Sequence, residues 1–291
     1  MLNISDKIIE KKLSERIIKM RYFISTIADV VTEDMDGDWE EINYERRTAP
    51  LAKENGLGIE LAEFCITENM DVKYDHVLPH VEYNASMAQD KVLHAPYNEL
   101  FPMAIDPLVV EVARTRYDQT MDYCQRFGAS KMIAHANYIE EEYFPVWFIN
   151  RHIEFWKRFL EEHPQDIIIC LENVAERDPE LILGILQGVD DPRLRMCLDV
   201  GHANLTGIEP IEWLRKCAPF ISHYHIHNNF GAPAEGKRSW GDRHLPLGEG
   251  DIDMKALLTL AEELTPDATA AIENYEPEKS VQWLKENGFI S

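Results

Sequence analysis

A chain of 291 residues, 45% hydrophobic and 28% charged with no low-complexity tract, has an ordinary globular composition and the length of one large α/β barrel or two smaller domains. Its 52 acidic against 29 basic residues leave a formal net charge of −23, which repels phosphate backbones and argues against a nucleic-acid partner. No apolar run approaches the roughly 18 residues of a membrane span, and the charged opening MLNISDKIIEKKLSERIIKM does not read as a signal peptide, so a cytoplasmic protein is expected.

The first element in chain order is a helical pattern over 5–19, expected as an N-terminal extension (1–19) covering the bottom of a barrel formed by 20–291. Strands are expected near 20–27 (MRYFISTI), 57–65 (LGIELAEFC), 91–96 (KVLHAP) and 130–137 (SKMIAHAN), and again near 166–174 (DIIICLENV), 194–201 (LRMCLDVG), 221–228 (ISHYHIHN) and 268–275 (ATAAIENY). Helical patterns are clearest over 107–127, 149–163, 178–187, 252–264 and 277–287; the first opens on Asp-Pro and closes on Gly, as capping requires. Eight strands alternating with helices, with no linker between them, predict a single (β/α)8 barrel. A doubly wound sheet would carry a Gly-rich turn after its first strand, and FISTIADVVTEDMDG has none. The acidic stretch DMDGDWEEINYE is read as an exposed loop, because Trp39 stands where a calcium loop needs glycine. Cys65, Cys124, Cys170, Cys197 and Cys217 form no CxxC pair and are expected as buried, reduced thiols.

Barrel chemistry is built at the C-terminal ends of the strands. Those ends carry His94, His135, Glu172, Asp199 (with His202 just beyond), His225 and Glu273, while Asp242 and His244 lie in the loop after strand seven. Imidazole and carboxylate are the donors that zinc and manganese accept. In strand seven, His223, His225 and His227 alternate, so all three share one face, with His225 level with the other donors, His223 one layer deeper and His227 at the lip. Arg243 is positioned to clamp a phosphate or carboxylate, and Tyr97, Trp147, Phe230 and Trp240 are candidate aromatic walls of a substrate pocket. His80, His152 and His163 are read as ordinary surface histidines.

Together LHAPY, MIAHANY, CLENV, CLDVGHANL, YHIHNN, DRHLPLGEGDID and AIENY resemble, in order, the xylose-isomerase-like TIM barrel superfamily. That superfamily includes sugar and sugar-phosphate isomerases and epimerases, and the endonuclease IV (AP endonuclease family 2) type of DNA-repair enzyme. For the isomerases the resemblance implies one divalent ion on Glu172, Asp199, His225 and Glu273. Glu172 and Glu273 would act as catalytic acid and base beside a carbonyl, and His202 would grip a substrate oxygen. For the endonuclease IV type it implies that the same four hold one ion, that His94 and His135 hold a second with Glu172 bridging, and that His202, Asp242 and His244 hold a third. The expectation ranked first is a metal-dependent sugar isomerase or epimerase, with one to three zinc or manganese ions and a small sugar-like or phosphorylated substrate contacted by His202, Arg243, Tyr97 and Trp240. A multi-metal phosphoester hydrolase acting on a small non-DNA substrate ranks second. No nucleic-acid or membrane partner is expected, and a homo-oligomer is compatible with either reading.

Overall fold

The structure, a computed structural model, describes residues 20–31, 43–232 and 241–291. The N-terminal helix expected over 5–19, most of the acidic loop, and Trp240 lie outside the described residues. Eight barrel strands follow one another as β1 (Arg21–Ser25), β2 (Gly58–Leu61), β3 (Lys91–His94), β4 (Lys131–His135), β5 (Ile168–Glu172), β6 (Leu194–Asp199), β7 (Ile221–Ile226) and β8 (Thr269–Ile272). Each pairs in parallel with its sequence neighbours, and β1 closes the ring on β8 through Arg21↔Thr269 to Ile24↔Ile272. A short antiparallel ribbon, Val30–Val31 with Asn43–Tyr44, stands apart from the barrel sheet.

Among the described residues the helices are α1 (Thr48–Glu54), α2 (Tyr74–Met87), α3 (Pro107–Phe127), α4 (Pro145–Glu162), α5 (Pro179–Val189), α6 (Val200–Leu205), α7 (Pro210–Cys217), α8 (Met254–Leu264) and α9 (Pro277–Glu286). Proline opens five of them, where its missing N–H costs nothing. Asp106 and Asp178 cap α3 and α5 by accepting from Leu108 N and Glu180 N, both at 2.9 Å. Gly128 ends α3 at φ 70°, a left-handed conformation that glycine adopts without a Cβ clash. None of these helices is long and apolar enough to cross a membrane.

The strands' outward residues, such as Leu61, Leu93, Ile169, Leu171, Met196, Leu198 and Ile272, form the main core against the helices. Inward residues Phe23, Val92, Ile133, Cys170, Cys197 and Ala271 form a smaller apolar layer inside the barrel. Gly58 makes room for that layer: a Cβ there would lie 2.4 Å from the Phe23 ring. The five cysteines are free thiols, four of them buried and Cys65 partly so.

His152 corrects its sequence reading. Rather than lying at the surface, it is fully buried on the inner face of α4 with Phe148, Phe155, Trp156 and Phe159. Its Nε2–H donates to the Ala136 carbonyl at 3.0 Å, and its Nδ1 accepts from Trp156 Nε1 at 3.1 Å. His80 is also buried, 3.3 Å from Asp29, and His163 is half-buried near Asp118. Burial pushes the His152 pKa from 6.5 down to about 3. Below about pH 6.5 the unfolded chain therefore takes up a proton that the native imidazole refuses. The His152 contribution is complete above that pH and is lost as pH falls toward 3. Urea unfolding of the chelator-treated protein at pH 6 and pH 4.5 should show stability falling by about 1.4 kcal/mol per pH unit from this group. His152→Gln should be shallower by that amount; equal slopes would contradict the assignment.

Candidate metal centre

His94, His135, Glu172 and Asp199 are the last residues of β3, β4, β5 and β6, and Glu273 follows the last residue of β8. Parallel register brings them to one height, with His135 opposite Glu172 and Asp199 opposite His225. Asp199 also caps α6, accepting from His202 N at 2.6 Å, which turns His202 back toward the same rim. Asp242 and His244 come from the loop after β7. That loop is pinned by paired backbone bonds between Asn228 and Leu245 and by the Asn228 side chain, which donates to the Leu247 and Ile252 carbonyls.

The sequence-predicted donors fall into three sets, and within each set the candidate ligand atoms lie within 4.8 Å of one another. In the first set, His225 Nδ1 faces Glu172 Oε2 at 3.3 Å, Glu273 Oε2 at 3.2 Å and Asp199 Oδ2 at 3.8 Å. In the second, Glu172 Oε2 lies 3.4 Å from both His94 Nε2 and His135 Nε2. In the third, His202 Nε2 and His244 Nε2 each lie 3.1 Å from Asp242 Oδ2.

The third set has one member more than the sequence reading gave it. His227 Nε2 sits 3.1 Å from Asp199 Oδ2 and 3.8 Å from Asp242 Oδ1, and its ring stacks on His244 at 3.9 Å. It reaches this position across Gly201, where a Cβ would come within 2.0 Å of the His227 ring. Glu60 was also missed. This fully buried carboxylate lies beneath the sets, with Oε2 3.1 Å from His225 Nε2.

Backbone partners fix the histidines' orientation. His94, His202 and His244 direct Nδ1–H to the carbonyls of Ala95 (2.7 Å), Asn173 (3.0 Å) and Glu273 (2.8 Å), which leaves each Nε2 lone pair for a ligand.

Burial disfavours charge throughout the site, yet the opposite charges win at most positions. The Glu172 carboxyl is held well below the usual range by His225 and His135, and Asp242 is likewise lowered by His202 and His244. His202 is pushed well above its ordinary value by Asp199, Asp242 and Glu172, and Asp242 and Glu273 bring His244 to about 9. The carboxylates thus demand positive charge, which metal ions or protons can supply.

Donor chemistry agrees with a metal. Glu172 Oε2, His225 Nδ1 and Glu273 Oε2 are buried atoms that converge on one point and make no hydrogen bond with the described residues. Mixed imidazole and carboxylate donors suit zinc or manganese.

Around the mouth, Tyr97 stacks on His135 with ring centroids 4.6 Å apart, and Arg243 is exposed over the Phe230 ring at 5.9 Å. Trp147, in the first turn of α4, packs against Tyr143 and Arg151.

A family model described as "Xylose isomerase-like TIM barrel" matches residues 52–287. An uncharacterised protein of Methanocaldococcus jannaschii is 27% identical over 67% of this chain and 69% of its own length. A probable endonuclease 4 of Mesomycoplasma hyopneumoniae is 22% identical over 58% of this chain and 63% of its own. Among solved structures, a D-tagatose 3-epimerase-like protein superposes with TM-score 0.68 at 23% identity, covering 92% of this chain and 97% of that one. The IolI protein with a bound zinc atom superposes with TM-score 0.67 at 19% identity, covering 92% and 96%.

Proposed function

The chain belongs to the xylose isomerase-like TIM barrel family, and from that membership we propose that it is a multi-metal enzyme hydrolysing a phosphoester of a small molecule. One observation carries the reading: three donor sets converge at the strand ends, and Glu172 is shared by two of them. Its Oε2 faces His94, His135 and His225, while its Oε1 lies 3.3 Å from His202 Nδ1. A one-ion proton-transfer isomerase needs only the set of Glu172, Asp199, His225 and Glu273, and here two further donor sets stand beside it. We therefore rank the hydrolase ahead of the isomerase, reversing the order given by the sequence.

Glu172, Asp199, His225 and Glu273 would hold one divalent ion, His94 and His135 with Glu172 a second, and His202, His227, Asp242 and His244 a third. Bound there, such ions supply Lewis-acid charge that acidifies water and offsets the charge developing on phosphoester oxygens. The chain's own contribution is orientation. The Ala95, Asn173 and Glu273 carbonyls hold protons at Nδ1 of His94, His202 and His244, and a buried apolar layer lies beneath the site. Arg243 and Tyr97 stand at the mouth, where a phosphate and an apolar substrate face would meet them.

Sugar isomerisation or epimerisation is the second reading. It is favoured by Glu172 and Glu273 flanking His225 Nδ1 at 3.3 and 3.2 Å, and by the epimerase-like protein among the structural neighbours.

A panel of phosphomonoesters and phosphodiesters separates the readings from ketose sugars assayed for carbon-bound exchange in deuterated water. Chelator-sensitive phosphate release without sugar exchange is expected; the converse would overturn the proposal. With a net charge of −23, the chain should show no measurable binding to intact or abasic duplex DNA at physiological salt. Sub-micromolar affinity in a filter-binding assay would make DNA the substrate instead.

A further inference from the structure

Beneath the metal centre, the apolar interior layer of Phe23, Val92, Ile133, Cys170, Cys197 and Ala271 is interrupted by a carboxylate on β2. Glu60 is fully buried, and burying an ion costs several kcal/mol unless partners satisfy it. Its partners are two imidazoles that share one oxygen: Oε2 lies 3.0 Å from His223 Nε2 and 3.1 Å from His225 Nε2. The other oxygen, Oε1, makes no hydrogen bond with the described residues.

The chain of bonds leading to Glu60 has one consistent direction. Lys131 Nζ can only donate, and it donates to the Ser222 carbonyl and to Thr269 Oγ1, the latter at 2.8 Å. The Thr269 hydroxyl then gives its single proton to His223 Nδ1 at 2.5 Å, which leaves the His223 proton on Nε2 for Glu60. Glu60 Oε2, an acceptor only, takes that proton and the one on His225 Nε2. The Nδ1 lone pair of His225 is thereby left facing Glu172, Asp199 and Glu273.

We propose that Glu60 is the positioning residue of the first metal set: backed by His223, Thr269 and Lys131, it locks His225 in the tautomer that presents Nδ1 to a divalent cation. The proposal rests on the metal-centre reading above. A carboxylate behind a ligating imidazole also raises its basicity, and losing such a partner typically lowers metal affinity about 10–100-fold.

The test is zinc titration against a chromophoric chelator for the wild type, Glu60→Gln, Thr269→Val and His225→Ala, alongside melting of each metal-free protein. Glutamine keeps the size of Glu60 but loses its charge and its acceptor-only character. Glu60→Gln should bind the first-set ion about 10–100-fold more weakly, with a metal-free melting temperature near that of the wild type. Thr269→Val should show a smaller loss in the same direction. Cobalt in place of zinc should give an altered ligand-field spectrum in Glu60→Gln. A merely structural role would lower the melting temperature and leave affinity and spectrum unchanged. If Glu60→Gln binds within twofold of wild type while His225→Ala loses an ion, the positioning role is overturned and the metal centre stands. If His225→Ala loses no ion, both are overturned.

Discussion

Glu172→Gln is expected to release at least one divalent ion and to lower phosphoester turnover by more than about 10³-fold. The size follows from its position as the carboxylate shared by two donor sets, within 3.4 Å of His94, His135, His202 and His225. Glutamine preserves the volume, so packing changes little, but it removes the charge that offsets the surrounding imidazoles. Removing one well-placed electrostatic group costs about 10²–10³ in rate, and this group serves more than one ion. Elemental analysis beside a rate assay checks it. Full metal content with more than a tenth of wild-type turnover would remove Glu172 from the centre.

His135→Ala and Asp242→Asn form the second test, because their effects differ between the two functional readings. His135 belongs to the second set and Asp242 to the third, and neither belongs to the set of Glu172, Asp199, His225 and Glu273. In a hydrolase each variant should lose one ion and about 10²–10³ in rate, each through a different set. In an isomerase the first set remains whole, so metal content should hold and only substrate binding should weaken. Dialysed protein assayed for zinc and for phosphate release decides between them. Unchanged metal content in both variants would defeat the hydrolase reading.

The barrel was legible because its strands are short apolar or β-branched runs, and because helices such as α3 carry Asp-Pro starts and glycine stops. The donor residues were legible for a related reason: they sit at strand ends, where the pattern changes abruptly from apolar to His, Glu or Asp. The misses have physical causes. Glu60 lies in LGIELAE, where alternation makes an inward glutamate resemble an outward one, and its imidazole partners are 163 and 165 residues away. His227 was placed on the correct face, but its approach to Asp199 depends on the absent side chain of Gly201, which strand periodicity does not register. His152 did leave a signal, lying four residues after Phe148 and four before Trp156 on the apolar face of α4. Its burial follows from the Ala136 carbonyl and the Trp156 indole, one of which arrives from another element. Helix α2 carries Pro79 inside it, a residue that interrupts a helical reading, and α6 is only six residues long.

The most direct measurement of the central claim is the number of divalent ions per chain in the purified wild type, by elemental analysis against protein concentration. The account predicts more than one ion, with one fewer in His135→Ala. A single ion in the wild type that survives His135→Ala would contradict it and give the site to proton-transfer chemistry on a sugar.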